Sequence, residues 1–165
     1  MPGLIRDLGS EQKLVRSHVV SVLASLGASQ AAPHIAKLAD DPVDTVRMCA
    51  VDALGVLKAH EFEGTLVAAL DDSASVVRMS AAEALGRMAA RDTIPSLRRA
   101  LDNDPNPEVR LHAVESLVLL GDQQSRERVP QVLREISWRV RLHPRWKKLR
   151  KVVETGEPLT PWPPD

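Results

Sequence analysis

Tyrosine is missing from this sequence, and the other aromatics are scarce: three tryptophans and one phenylalanine in 165 residues. A core without aromatic bulk has to be built from Ala, Val and Leu. Such a core suits close-packed helices better than a β-sandwich, whose strands favour aromatic and β-branched side chains. A single cysteine, Cys49, excludes an internal disulfide framework and a zinc site made of several cysteines. Long hydrophobic runs are lacking too, and none approaches the roughly 20 residues that a bilayer-spanning helix needs. The opening MPGLIRDLGS carries Arg6 and Asp7 and has no apolar stretch of the kind a secretory signal uses. Net charge is also absent, with 22 basic residues against 22 acidic ones. The expectation is a soluble, cytoplasmic chain of one domain.

What the sequence does have is internal repetition, the first thing to look for because it decides the architecture. Val-Arg recurs at Val15-Arg16, Val46-Arg47, Val77-Arg78, Val109-Arg110 and Val140-Arg141, with the arginines 31, 31, 32 and 31 residues apart. The surroundings match as well. Residues 40–55 read DDPVDTVRMCAVDALG, residues 71–86 DDSASVVRMSAAEALG and residues 103–118 NDPNPEVRLHAVESLV.

Each unit reads as a pair of helices joined by a polar turn. In the third, EGTLVAAL (63–70) is the first helix, DDSAS (71–75) the turn and VVRMSAAEALGRMAA (76–90) the second helix. The turn offers Asp and Ser as caps for the helix that follows. Val77, Ala81, Ala84, Leu85 and Met88 fall on one helical face. Val46, Ala50, Ala53, Leu54 and Leu57 do the same in the preceding unit, and Val109, Ala113, Ser116, Leu117 and Leu120 in the following one. Small residues at the second and third of these positions predict close approach of helix axes. The first helices align at Pro33, Gly64 and Pro95, with Ile35, Leu66 and Leu97 two residues on. Proline is tolerated in a first turn because its missing N–H has no intrahelical partner there.

One such pair cannot bury its apolar face, so neighbours must stack into a continuous core. The spacing gives units at about 1–28, 29–59, 60–90, 91–121 and 122–154, followed by a proline-rich tail over 155–165. The end units are expected to differ. The first lacks most of a first helix, and Pro144 in the last is expected to kink its second helix near His143.

These residues resemble the HEAT-repeat family, in particular the short HEAT-like units also found in phycobilin lyases, over about residues 10–142. The resemblance implies an all-α, right-handed α-solenoid of four to five helix pairs. It also implies a structural ladder between repeats from the acid six residues before each arginine: Asp41 and Arg47, Asp72 and Arg78, Asp104 and Arg110. Ser10 and Glu135 replace the aspartate at the two ends, where the ladder is not expected to hold. Fold alone does not give function.

The resemblance also puts the second helices on the concave face. Three columns then project from it: Ser17, Met48, Met79, Leu111, Leu142; His18, Cys49, Ser80, His112, His143; and Ser21, Asp52, Glu83, Glu115, Trp146. An apolar row beside an acidic row is a groove for a protein partner, and Met48, Asp52, Met79, Glu83, Leu111, His112, Glu115, His143 and Trp146 are its candidate contacts. The plainer readings are an apolar row partly covered by packing between adjacent second helices and acids on a solvated helix face.

Catalytic signals are poor. GxSxG, P-loop, GxGxxG and HExxH patterns are all missing. Cys49 has no base beside it, and Arg47 splays about 100° away on the helix. HEAT-type deoxyhypusine hydroxylases bind two irons through His-Glu pairs placed directly after Val-Arg. Here Met48-Cys49, Met79-Ser80 and Leu111-His112 stand in those places, so no metal or other cofactor is expected. An enzymatic alternative handling a small molecule would use His112, Glu115, His143 and Trp146, at the C-terminal half of the groove.

The neutral balance hides an asymmetry. Residues 1–123 carry 12 basic and 17 acidic side chains, and residues 124–165 carry 10 and 5. The basic patch is Arg139, Arg141, Arg145, Lys147, Lys148, Arg150 and Lys151. Trp138, Val140, Leu142, Leu149 and Val152 read as the stripe of a capping helix with bases outward. Some HEAT proteins grip DNA with cationic faces. A local patch away from an acidic groove supports only weak, salt-sensitive nucleic-acid binding. Trp162, set among prolines, is expected to fold back onto the solenoid or to serve as a ligand for another domain. The functional expectation is a non-enzymatic scaffold or adaptor.

Overall fold

The computed structural model describes residues 2–137, 144–157 and 159, with the backbone alone for Pro2 and Arg145. Among these residues every regular element is helical. In chain order they are α1 (Pro2–Asp7), α2 (Lys13–Ser25), α3 (Ala32–Lys37), α4 (Asp44–Val56), α5 (Glu63–Ala69), α6 (Ser75–Arg87), α7 (Ile94–Asn103), α8 (Pro107–Leu119), α9 (Gln123–Arg126), α10 (Val129–Glu135) and α11 (Pro144–Thr155). Helices α2, α4, α6 and α8 stack on one another in sequence order, and α1, α3, α5 and α7 each pack on the long helix that follows them. The result is an all-α solenoid.

The apolar stripe of each long helix forms the core. Val46, Ala50, Ala53 and Leu54 are buried, as are Val77, Ala81, Ala84, Leu85 and Met88, and Val109, Ala113, Ser116, Leu117 and Leu120; Leu57 is half-buried. Ile35, Leu66 and Leu97, one from each short helix, fill the space between layers without any exposure. Pro33 and Pro95 occupy the first turns of α3 and α7.

Small residues set the spacing of the stack. A Cβ on Gly55 would lie 2.6 Å from Ala84 Cβ and 2.8 Å from Ala84 Cα, and Gly86 meets Ser116 in the same way one layer on. Contacts this short mean that the backbones of α4 and α6, and of α6 and α8, approach as closely as side chains allow. Val118 stands where Gly55 and Gly86 stand, and α8 does not present that notch to a further long helix.

The long helices share one ending. Ala28, Ala59, Ala90 and Asp122 donate their N–H to the carbonyls of Leu23, Leu54, Leu85 and Leu117, at 2.9–3.2 Å. The residue before each has positive φ: Gly27 63°, Lys58 49°, Ala89 56° and Gly121 82°. This is the Schellman close, which reverses the chain into the next short helix.

Two local expectations are corrected. The aspartates of the turns ahead of α4, α6 and α8 do not cap those helices. The N-cap residues of α4 and α6 are Val43 and Ala74, without a side-chain cap, while Asn106 caps α8 by accepting from the Glu108 N–H and Asp122 caps α9 by accepting from the Ser125 N–H. The first unit has a first helix after all, α1, as long as α3. Pro144 is the first residue of α11, a position that tolerates a missing N–H, and the kink expected near His143 lies outside the described residues.

Candidate functional site

Along one edge of the stack runs a ladder of arginines. Arg16 donates from Nε and Nη2 to the two carboxylate oxygens of Asp41 at 2.7 and 2.9 Å. Arg47 does the same to Asp72 at 2.7 and 2.9 Å, and Arg78 to Asp104 at 2.7 and 3.1 Å. The remaining Nη1 donates to the backbone carbonyl of the residue six places before each arginine: Ser10, Asp41, Asp72 and Asp104, at 2.6–2.9 Å. Each aspartate in turn accepts from the N–H two residues on, at Val43, Ala74 and Asn106. One guanidinium thus ties a turn to itself and to the turn of the next repeat, using the planar fork that lysine lacks.

The ladder continues through both ends. Ser10 needs only its carbonyl, and Glu135 takes the guanidinium of Arg110 at 2.7 Å. Arg47 holds Asp72 below the usual carboxylate range against the opposing effect of burial. Burial pushes Asp41 up, but Arg16, the Val43 N–H and Arg47 together bring it below that range. With their hydrogen bonds committed in this way, these arginines are structural ties and not a row of free phosphate ligands.

The inner face divides into two halves. Met48, Cys49, Met79 and Ser80 are half-buried, while His18, Ser21 and Asp52 are exposed. Between α2, α4 and α6 lies an open depression of about 470 Å³, lined by Ser21, Ala24, Met48, Cys49, Asp52 and Ser80 among others, with His18 and Met79 outside its lining. Toward α8 the face closes. Leu111 is 1% exposed, Glu115 3% and Trp146 6%. All three were expected on the open groove. In this half α10 packs on α8, and α11 brings Trp146 edge-on to His112 with ring centroids 5.2 Å apart. His143 lies outside the described residues.

The acidic row is bridged. Arg87 donates to Asp52 Oδ1 and to Glu83 Oε1, each at 3.0 Å, and His112 Nδ1 lies 3.4 Å from Glu83 Oε2. Arg87 was not singled out in the sequence. Its counterparts in the neighbouring units are Val56 and Leu119, so the repeat gives no signal for it, and only its place four residues after Glu83 hints at the pair. The row therefore presents a mixed-charge edge whose exposed member is Asp52.

Burial pushes the Cys49 thiol up; a hydrogen bond with Ser21 works against this and the charge of Asp52 adds to it. Cys49 is therefore a neutral, weakly polar lining group at pH 7, unlike an activated nucleophile. Among the described residues no cluster of three His, Cys, Asp or Glu side chains could hold a metal ion, and no helix is long and apolar enough to cross a membrane.

At the other end α11 buries Trp146, Leu149 and Val152 and turns Lys147, Arg150 and Lys151 outward, with Lys148 half-buried. Trp138, Arg139, Val140, Arg141, Leu142, the Arg145 side chain and Trp162 lie outside what the structure describes. The buried stripe closes the end of the core.

Comparison with known proteins bears on this arrangement. Residues 1–82 and 63–143 each match the family described as HEAT repeats. No curated protein matches the chain in sequence. Among solved structures, the complex of CpcE and CpcF of phycocyanin lyase from Nostoc sp. PCC7120 contains a similar fold. It is 18% identical, with a TM-score of 0.54, over 93% of this chain and 74% of that one.

Proposed function

The chain belongs to the HEAT-repeat family, and on that premise we propose that it is a non-enzymatic interaction module that holds a protein partner against the N-terminal half of its inner face. The observation that carries this reading is the depression between α2, α4 and α6, where Met48, Cys49 and Asp52 line the same wall. Methionine adapts its shape to an apolar ligand at little cost, which suits a docking surface. Asp52, exposed at the rim, adds a charge that selects among partners. The extended inner surface of a helical stack is the part such proteins offer to ligands.

The small-molecule alternative loses support from the burial of two of its groups. Glu115 and Trp146 are in the packed end of the solenoid. The likeness to the phycocyanin lyase complex is one of fold and does not supply an activity.

The test is comparative capture from the native source, read by quantitative mass spectrometry. Immobilised wild-type chain is set against Met48→Glu, Asp52→Arg and, as a control remote from the depression, Lys147→Glu/Lys148→Glu. A partner retained by the wild type and the control, but lost with both changes in the depression at unaltered melting temperature, is the expected result. Capture that ignores Met48 and Asp52 removes the depression from consideration.

A further inference from the structure

Between α10 and α11 lies an apolar cleft of about 240 Å³, formed by Val129, Pro130, Leu133 and Val153 and rimmed by Arg134, Arg150 and Glu154. Its size is below the roughly 300–1,000 Å³ of small-molecule sites and suits a single large side chain. Arg134 and Arg150 are exposed, and neither has an ion-pair partner among the described residues.

The chain itself is led back toward this cleft. Gly156, at φ 78°, ends α11 with its N–H on the Val152 carbonyl. Arg126 of α9 donates to the carbonyls of Val152 and Glu157, and Lys151 pairs with Glu157 at 3.6 Å. Leu159 then packs half-buried against the core. The segment that follows therefore starts beside α9, immediately ahead of Val129 and Pro130. Trp162 lies three positions after Leu159, a reach of about 10 Å, whereas Val129 to Leu133 spans only about 6 Å of helix.

The chemistry fits. Residues 156–165, GEPLTPWPPD, contain two acids and no base; Glu157 pairs with Lys151, which leaves Asp165 for a rim where Arg134 and Arg150 have no ion-pair partner among the described residues. Their four prolines keep the segment extended and lower the entropy lost on docking. Tryptophan is the side chain that gains most from leaving water.

We propose that the cleft between α10 and α11 is the docking site of this chain's own proline-rich segment, with Trp162 seated against Pro130, Leu133 and Val153 and Asp165 directed to Arg134 and Arg150. The docked segment completes the cap that α11 begins and covers apolar surface at that end of the solenoid.

The experiment uses the intact protein labelled with 5-fluorotryptophan, with Trp162 assigned by the fluorine resonance that disappears in Trp162→Phe. The expected result is a Trp162 resonance whose shift between H2O and D2O is several-fold smaller than that of free fluorotryptophan. This protection should be unchanged across a wide dilution series and reduced in Arg134→Glu/Arg150→Glu. A second variant, Trp162→Ala, should raise hydrogen exchange in α10 and α11 several-fold while leaving α4 and α6 untouched. A fully solvated Trp162, or protection that disappears on dilution as a second copy dissociates, overturns the proposal. So does protection indifferent to the charge reversal together with unchanged exchange in α10.

Discussion

Gly86 lies against Ser116 so closely that a Cβ on the glycine would stand 2.7 Å from the serine Cβ and 3.0 Å from its Cα. Ser116 cannot swing away, since it is 1% exposed and its Oγ donates to the Ala82 carbonyl at 2.7 Å. Gly86→Ala therefore forces α6 and α8 apart, and overpacking of this kind costs about 1–3 kcal/mol. Gly64 is the contrasting case. It is also helical, but nothing lies within 4 Å of its added Cβ. Gly64→Ala is expected to stabilise by about 0.5–1 kcal/mol, because glycine gives up more freedom in a helix. Urea denaturation of the two variants should move the midpoint in opposite directions.

The ladder predicts a hierarchy at Arg78. Alanine leaves Asp104 with neither of its two guanidinium bonds and the Asp72 carbonyl without its donor. Hydrogen bonds to charged groups are worth about 1.5–3 kcal/mol each way of counting, so a loss of roughly 2–3 kcal/mol is expected. Arg78→Lys keeps the charge but cannot reach both carboxylate oxygens and the carbonyl from one nitrogen. It should recover less than half of the loss, as read from thermal or urea melts.

The repeat, the core stripe and the close helix approach were legible because each depends on local periodicity. Val77, Ala81, Ala84, Leu85 and Met88 share a face whatever surrounds them. The ladder acids were legible as a column, but not their geometry: the carboxylate of Asp72 serves Arg47 from the preceding unit, while Arg78 takes only its carbonyl. The closed half of the groove was not legible. Counting 31 residues from Glu115 reaches Trp146 and assigns it to the inner face. Pro144, however, starts a new helix, so the register of α8 does not carry over to α11. Which surface Trp146 meets is decided by tertiary packing on His112, for which no sequence period exists.

Acid should weaken the stack through its aspartates. Asp72 and Asp122 are held below the usual carboxylate range by Arg47 and Arg98; for Asp41 burial is the largest single effect and pushes up, but Arg16, the Val43 N–H and Arg47 together outweigh it and hold the carboxyl below that range. In the unfolded chain each takes up its proton near pH 3.9, and in the folded chain only at lower pH. Between those points the unfolded state binds more protons, so stability falls as pH falls. The contribution of these groups is complete above about pH 5 and declines as pH drops through their folded values. Urea midpoints measured from pH 7 to pH 3 should decline below pH 4, and Asp72→Asn should reduce the pH-dependent part of that decline.

Lys58 and Ala89 occupy the left-handed turn that Gly27 and Gly121 fill in the other units. A side chain there costs about 1–2 kcal/mol relative to glycine. Ala89 is exposed, so its methyl group has little packing to lose. Ala89→Gly is expected to raise stability by up to about 1 kcal/mol once the larger freedom of glycine in the unfolded chain is set against the relieved strain. Gly121→Ala should lower it, and the two melting temperatures together check the sign.

The C-terminal cap should fail locally when Trp146 is truncated. Trp146 is buried beside Leu149 and Val152, and its ring meets His112 across the boundary between α11 and α8. Trp146→Ala removes that contact and leaves a void, a change that costs about 3–5 kcal/mol in a packed core. In a stack of repeats, stability is passed between nearest neighbours, so the loss is concentrated in the units that touch the change. Hydrogen exchange should show α11 and α10 opening with free energies near zero, α8 partly destabilised, and α4 with α2 close to wild type. Uniform loss of protection from α2 to α11 would mean that the cap and the remaining repeats unfold as one cooperative unit.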